Sequence, residues 1–116
     1  MRRKRAWVFK PVEITFSQSA ISDLEDIKAY YLGIDIPEVG NDMVISVFAH
    51  IETLIDHPDI GRVVPEFGEE HICELIHPPY RILYLRGLGS LQIIRIWRSE
   101  RLLEINQVNQ PLAVYK

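Results

Sequence analysis

Two apolar runs separated by a short glycine-rich stretch constrain this chain more than any other feature. Tyr80-Arg81-Ile82-Leu83-Tyr84-Leu85-Arg86 and Leu91-Gln92-Ile93-Ile94-Arg95-Ile96-Trp97 flank Gly87-Leu88-Gly89-Ser90. Glycines at a tight turn between β-branched and aromatic runs predict a β-hairpin. Both strands carry large apolar side chains on both faces, so they belong in the middle of a sheet. The surrounding sequence has to supply edge strands and a covering layer.

The covering layer lies upstream. Val12-Glu13-Ile14-Thr15-Phe16 alternates apolar and polar residues and is expected as a strand. Ser17 and Ser19 offer N-caps, and Ser22 with Glu25 has capping-box spacing. Ile21, Leu24, Ile27, Tyr30 and Tyr31 then recur at three- and four-residue steps, which predicts a helix ending near Leu32-Gly33. Pro37 suits the first turn of a second helix. Met43, Val47, Ile51, Leu54 and Ile55 line that helix, with Val44 and Phe48 widening the stripe. Asp56-His57-Pro58 ends it, because the residue before a proline disfavours helical geometry. The short link predicts an antiparallel helical hairpin.

Downstream, Arg62 to Phe67, broken by Pro65, and Ile72 to Ile76 are expected as further strands. The hairpin can cover one sheet face only. The other face is left with apolar side chains and no helix, and a large exposed apolar patch marks a partner site. The resulting class is α+β, in which a first strand and a two-helix hairpin pack on one face of a curled antiparallel sheet.

Length and composition agree with one domain: 116 residues, 47% hydrophobic and 25% charged. The expected division is a basic arm over 1–11, the domain over 12–103 and a tail over 104–116. The charge is unevenly spread. Residues 1–10 hold five bases and no acid, whereas residues 11–61 hold ten acids and one base, Lys28. Six of the seven bases after residue 61 are arginines: Arg62, Arg81, Arg86, Arg95, Arg98 and Arg101. The net charge of −3 disfavours non-specific nucleic-acid binding, which draws on many phosphate contacts. A single cysteine, Cys73, suits a reducing cytosol and reads as a small buried thiol. No apolar run approaches the roughly 20 residues of a membrane span. Cytoplasmic localisation without membrane contact is the expectation.

Motifs for chemistry are scarce. There is no phosphate loop and no paired cysteine. His50 reads as a solvated residue opposite the apolar stripe of the second helix, and His57 as part of that helix's end. A metal site built from His71, His77 and Cys73 is disfavoured by the strand pleat. No metal or other cofactor is expected. The arginines remain. Arg81 and Arg95 sit inside strands, where a guanidinium must be paired or must face a site. Glu66, Glu69, Glu70, Glu74 and Glu100 are the expected partners under the first alternative. Arg98 and Arg101 fall at a strand end.

Four phrases carry a resemblance: DLEDIKAYY at 23–31, HPDIGRVVPEF at 57–67, PYRILYL at 79–85 and IIRIWRSER at 93–101. In this order the chain resembles the RelE/ParE superfamily of type II toxin–antitoxin toxins, also called plasmid-stabilisation proteins, over about residues 12–103. Gly61-Arg62 and Tyr80-Arg81 are the most distinctive pieces. A basic arm ahead of the first strand departs from the compact family pattern.

The resemblance implies a cognate antitoxin that neutralises the toxin, and it leaves room for a homodimer. It also implies one of two activities. A RelE-like branch cleaves messenger RNA on the ribosome, and here Arg81, Glu66 and Arg98 would stand in the catalytic positions. Such cleavage needs a base, an acid and cations for the phosphorane charge. Trp97-Arg98-Ser99-Glu100-Arg101 contains neither His nor Tyr, and no lysine precedes Lys116 in the sheet half. The ParE-like branch poisons DNA gyrase without catalysing a reaction, and the sequence is closer to it. Arg81, Trp97, Arg98 and Arg101 are then expected to contact the target, and Tyr80, Tyr84 and Arg62 the protein partner. A degenerate toxin retained as a binding module is the third alternative.

Overall fold

A computed structural model describes residues 12–99. The basic arm, the tail over 104–116, Glu100 and Arg101 lie outside the described residues. The described residues form five strands and two helices: β1 (Glu13–Phe16), α1 (Gln18–Gly33), α2 (Pro37–Asp56), β2 (Arg62–Val63), β3 (Ile72–His77), β4 (Tyr80–Gly87) and β5 (Ser90–Arg98).

The strand order is β1-β5-β4-β3-β2. The two apolar runs are interior strands, as their sequences require. Gly87 pairs with Ser90, so Leu88-Gly89 forms a two-residue turn with Gly89 at φ 72°. The sheet is mixed rather than wholly antiparallel. Its first strand runs parallel to β5, with Glu13 opposite Ser90 and Phe16 opposite Ile93. Strands β1 and β2 occupy opposite edges, so the helical hairpin between them carries the chain across one face.

The first helix begins at Ser17, whose hydroxyl accepts the Ala20 N–H at 3.1 Å. Ser17 is therefore the cap, and Ser22 lies inside the helix instead of starting it. Pro37 opens α2, and the helix ends at Asp56 with the His57 N–H bonded to the Thr53 carbonyl at 3.0 Å. The two helices approach closely at Gly40. A Cβ there would meet Tyr31 Cβ at 3.0 Å and Lys28 Cα at 3.4 Å, so glycine sets the spacing.

The main core lies between hairpin and sheet. Leu24 and Ile27 of α1 and Val47, Ile51 and Leu54 of α2 pack on Cys73, Leu75, Tyr80, Ile82, Tyr84, Leu91, Ile93 and Ile96. Ile21, Tyr30 and Phe48 sit at the margins of the helical stripes and are exposed. Residue pairing slips between Leu83–Arg95 and Tyr84–Ile93, leaving Ile94 as an extra residue in β5. That bulge lets Ile93 and Ile96 both face the helices.

The expected strand over Arg62–Phe67 shrinks to Arg62–Val63. Pro65 has no N–H to extend a ladder. The chain turns instead, with Phe67 and Gly68 N–H groups both bonded to the Val64 carbonyl. This turn changes the second sheet face. Val64, Ile72, Leu83, Ile94 and Trp97 form a second buried cluster, with Phe67 and Leu85 packed against it. The apolar face expected to stand open is thus buried at these positions.

Candidate functional site

The pleat places Glu74 and Arg81 on the sheet face away from the helices, alternating with Cys73, Leu75, Tyr80 and Ile82 on the helix side. Antiparallel register puts Arg62 directly opposite Glu74. The Glu74 side chain is fully buried and accepts from two guanidinium groups: Arg62 Nε donates to Oε2 and Arg81 Nε to Oε1, each at 2.7 Å. Arg81 extends its other two nitrogens to Glu66, Nη1 to Oε2 and Nη2 to Oε1, both at 3.0 Å. Of the two alternatives left by the sequence, Arg81 takes the paired one.

This network of two arginines and two carboxylates is neutral overall. Bidentate charge-assisted bonding is among the stronger polar contacts available to a protein. The Arg81 hydrogen bonds hold the Glu66 carboxyl below its ordinary pKa, and Glu66 in turn raises that of Arg81. A carboxylate so held is a weak proton acceptor. Arg62 is the solvent-exposed member of the set.

A second constellation lies along β5 beyond the reach of β1. There the start of α1 takes over the strand's open edge. Ser17 N–H donates to the Ile93 carbonyl at 2.9 Å and Ser17 Oγ to the Ile94 carbonyl at 3.1 Å. Asp23 continues the pattern, accepting the Ile96 N–H at 2.8 Å. The same carboxylate receives Arg95 through two bonds of 2.9 Å. Among the described residues Arg95 pairs with Asp23 of α1 and not with Glu66, Glu69, Glu70 or Glu74; Glu100, the fifth expected partner, lies outside them. A recognisable signal existed. Asp23 falls on the buried stripe of α1, three residues after Ala20 and four before Ile27.

Arg95 also lies over the Trp97 ring, its Cζ 4.4 Å from the centroid. A groove of about 340 Å³ opens here, lined by Asp23, Asp26, Ile27, Tyr30, Tyr80, Arg95, Ile96, Trp97 and Arg98. Trp97 is buried, and Arg98 reaches over the Tyr80 ring at 5.9 Å. Tyr80 and Tyr84, expected at a partner surface, lie in the core instead. Each alternates onto the helix-facing side of β4. Burial is the main cause pushing each phenol up to about 12. The Tyr84 hydroxyl rests against the backbone of Gly61, where a Cβ would collide with it. This explains why glycine precedes Arg62.

Sequence reasoning also misplaced a histidine. His50 is half-buried and not free in solvent, because its Nδ1 meets Nδ1 of His77 at 2.9 Å. Burial, reinforced by the His50 ring, holds His77 below its ordinary pKa. Cys73 is buried as expected, and burial pushes its thiol up. Among the described residues no group of three or more His, Cys, Asp or Glu side chains is placed to hold a metal. No described helix is long and apolar enough to cross a membrane.

Residues 14–103 match the family described as the ParE toxin of the type II toxin–antitoxin system, parDE. The chain belongs to the ParE toxin family. The fold agrees with solved structures. The chromosomal ParDE toxin–antitoxin system from P. aeruginosa contains a chain with TM-score 0.64 and 20% identity, the match covering 75% of this chain and 95% of that one. A chain of the RelBE2 complex from Mycobacterium tuberculosis gives TM-score 0.53 at 19% identity, covering 76% and 98% respectively. No curated protein matches the sequence. Within the ParE framework, Arg81 is an internally neutralised arginine of the sheet, and Arg98 ends the last described strand.

Proposed function

We infer that this ParE-family toxin arrests growth by binding a cellular protein, with DNA gyrase as the target, and that a cognate antitoxin neutralises it in the cytoplasm. The observation that carries this reading is the fork between Arg81 and Glu66. An RNA-cleaving site built on these residues needs Glu66 able to take a proton and Arg81 able to reach a phosphate. Here those two groups satisfy one another, and Glu74 holds the guanidinium from its other side. The arrangement suits a shaped surface better than a reaction centre.

In this reading Arg98 and Arg101 contact the target, while Trp97 and Arg81 hold the end of β5 and its neighbours in shape. Both named structural neighbours come from toxin–antitoxin systems, which supports an antitoxin partner. In this reading Arg62, exposed at the sheet edge, meets an acidic group of that partner.

Induced expression of the chain alone separates this reading from messenger-RNA cleavage. Thymidine incorporation falls before leucine incorporation, with SOS induction, if gyrase is the target. Loss of leucine incorporation first overturns the reading in favour of the ribosome.

A further inference from the structure

His50 and His77 belong to different elements, α2 and the last position of β3, yet their Nδ1 atoms are 2.9 Å apart. The ring centroids are 5.1 Å apart at 49°. The far side of His77 is also fixed, with Nε2 2.9 Å from Ser46 Oγ. Ser46 has one hydrogen, and it donates that hydrogen to the Met43 carbonyl at 2.8 Å. Ser46 therefore accepts from His77 Nε2–H, which leaves the His77 Nδ1 lone pair aimed at His50. In this tautomer assignment a single proton, carried by His50 Nδ1, lies between the rings.

A cation can occupy the place of that proton. Two nitrogens bound at about 2.0–2.1 Å to a tetrahedral centre lie about 3.3 Å apart. The observed gap is short of this by about 0.4 Å, and because a tetrahedral centre lies off the line joining the two nitrogens, both rings turn toward it on binding. The serine behind His77 is the kind of outer hydrogen bond that fixes the orientation of a metal-bound imidazole. Both residues are half-buried.

The geometry points to a two-histidine site, His50 with His77, for a borderline divalent transition cation such as Zn²⁺ or Ni²⁺. Imidazole donors favour this class, whereas Mg²⁺ and Ca²⁺ favour oxygen. On binding, both Nδ1 lone pairs go to the cation and the His50 proton moves to its own Nε2, so a neutral pair loses no proton. No third His, Cys, Asp or Glu joins the two rings among the described residues. Water fills the remaining positions, which makes the site exchangeable rather than a closed structural centre. The bound cation would tie α2 to the β3–β4 turn.

Calorimetric titration of the purified, tag-free chain with ZnCl₂ tests this. Saturable 1:1 binding is expected, weakened at least about tenfold by His50→Gln or His77→Gln and retained in His57→Gln and His71→Gln. Proton NMR of the unsubstituted chain gives a readout that does not depend on the variants folding. Ni²⁺ should broaden the ring signals of His50 and His77 before those of His57 and His71. Absence of saturable binding, binding that survives His50→Gln, or first broadening at His57 or His71 overturns the assignment.

Discussion

Arg81 and Glu66 face each other edge to edge, with two parallel N–H···O bonds of 3.0 Å. Glu74 closes the other side of the guanidinium at 2.7 Å. The Arg81 side chain is only 8% exposed, so the charge is balanced inside the protein before any partner arrives.

Glu74 is the residue whose loss should be felt most. Its buried carboxylate serves both Arg62 and Arg81. Removing one partner of a buried ion pair leaves an uncompensated charge and costs roughly 3–5 kcal/mol. Glu74→Gln should destabilise the fold by about 3 kcal/mol in urea unfolding.

Glu66 predicts a pH dependence. Its folded pKa lies below the ordinary 4.5, so its stabilising effect is present in full above that value. It is lost as pH falls through the depressed folded value. The stability gap between the unsubstituted chain and Glu66→Gln should therefore be larger at pH 7 than at pH 3, measured by urea titration at both. A gap that does not change with pH contradicts this.

Gly61 and Tyr84 are coupled by space. A Cβ at 61 would overlap the Tyr84 hydroxyl and lie 2.8 Å from the Glu74 carbonyl oxygen. Gly61→Ala should cost about 1–3 kcal/mol, the range for forced overpacking. Tyr84→Phe should recover part of that loss and not all, since the carbonyl remains. A thermal double-mutant cycle measures the coupling.

Asp23 substitutes for a missing strand at the β5 edge. Asp23→Ala removes the acceptor of the Ile96 N–H and both Arg95 bonds. Amide exchange at Ile96 should accelerate well beyond that at Ile93, whose edge is covered by β1. Equal acceleration at both positions would show global loosening instead.

The fold was legible wherever a pattern was local. Helical periodicity, Pro37, the proline after His57 and the two-residue turn at Leu88-Gly89 each mark their element within a few residues. What escaped needed contacts distant in sequence. Arg95 was assigned to nearby glutamates, but its partner Asp23 lies 72 residues away. His50 was read from its own helix, and its contact His77 lies 27 residues on. The second buried cluster escaped because Pro65 was taken as a break within a strand. It is a turn that carries the chain back onto the sheet. Tyr80 and Tyr84 were expected at a partner surface because one sheet face was taken to be uncovered, whereas their parity along β4 places them under the helices.

With Arg81 neutralised inside the protein, this ParE-family chain is expected to act by contact and not by cleavage. One preparation of purified chain can be divided between a gyrase supercoiling assay and a ribosome-bound messenger-RNA assay. Inhibited supercoiling with intact message is the predicted result. Cleaved message with unaffected supercoiling would contradict it.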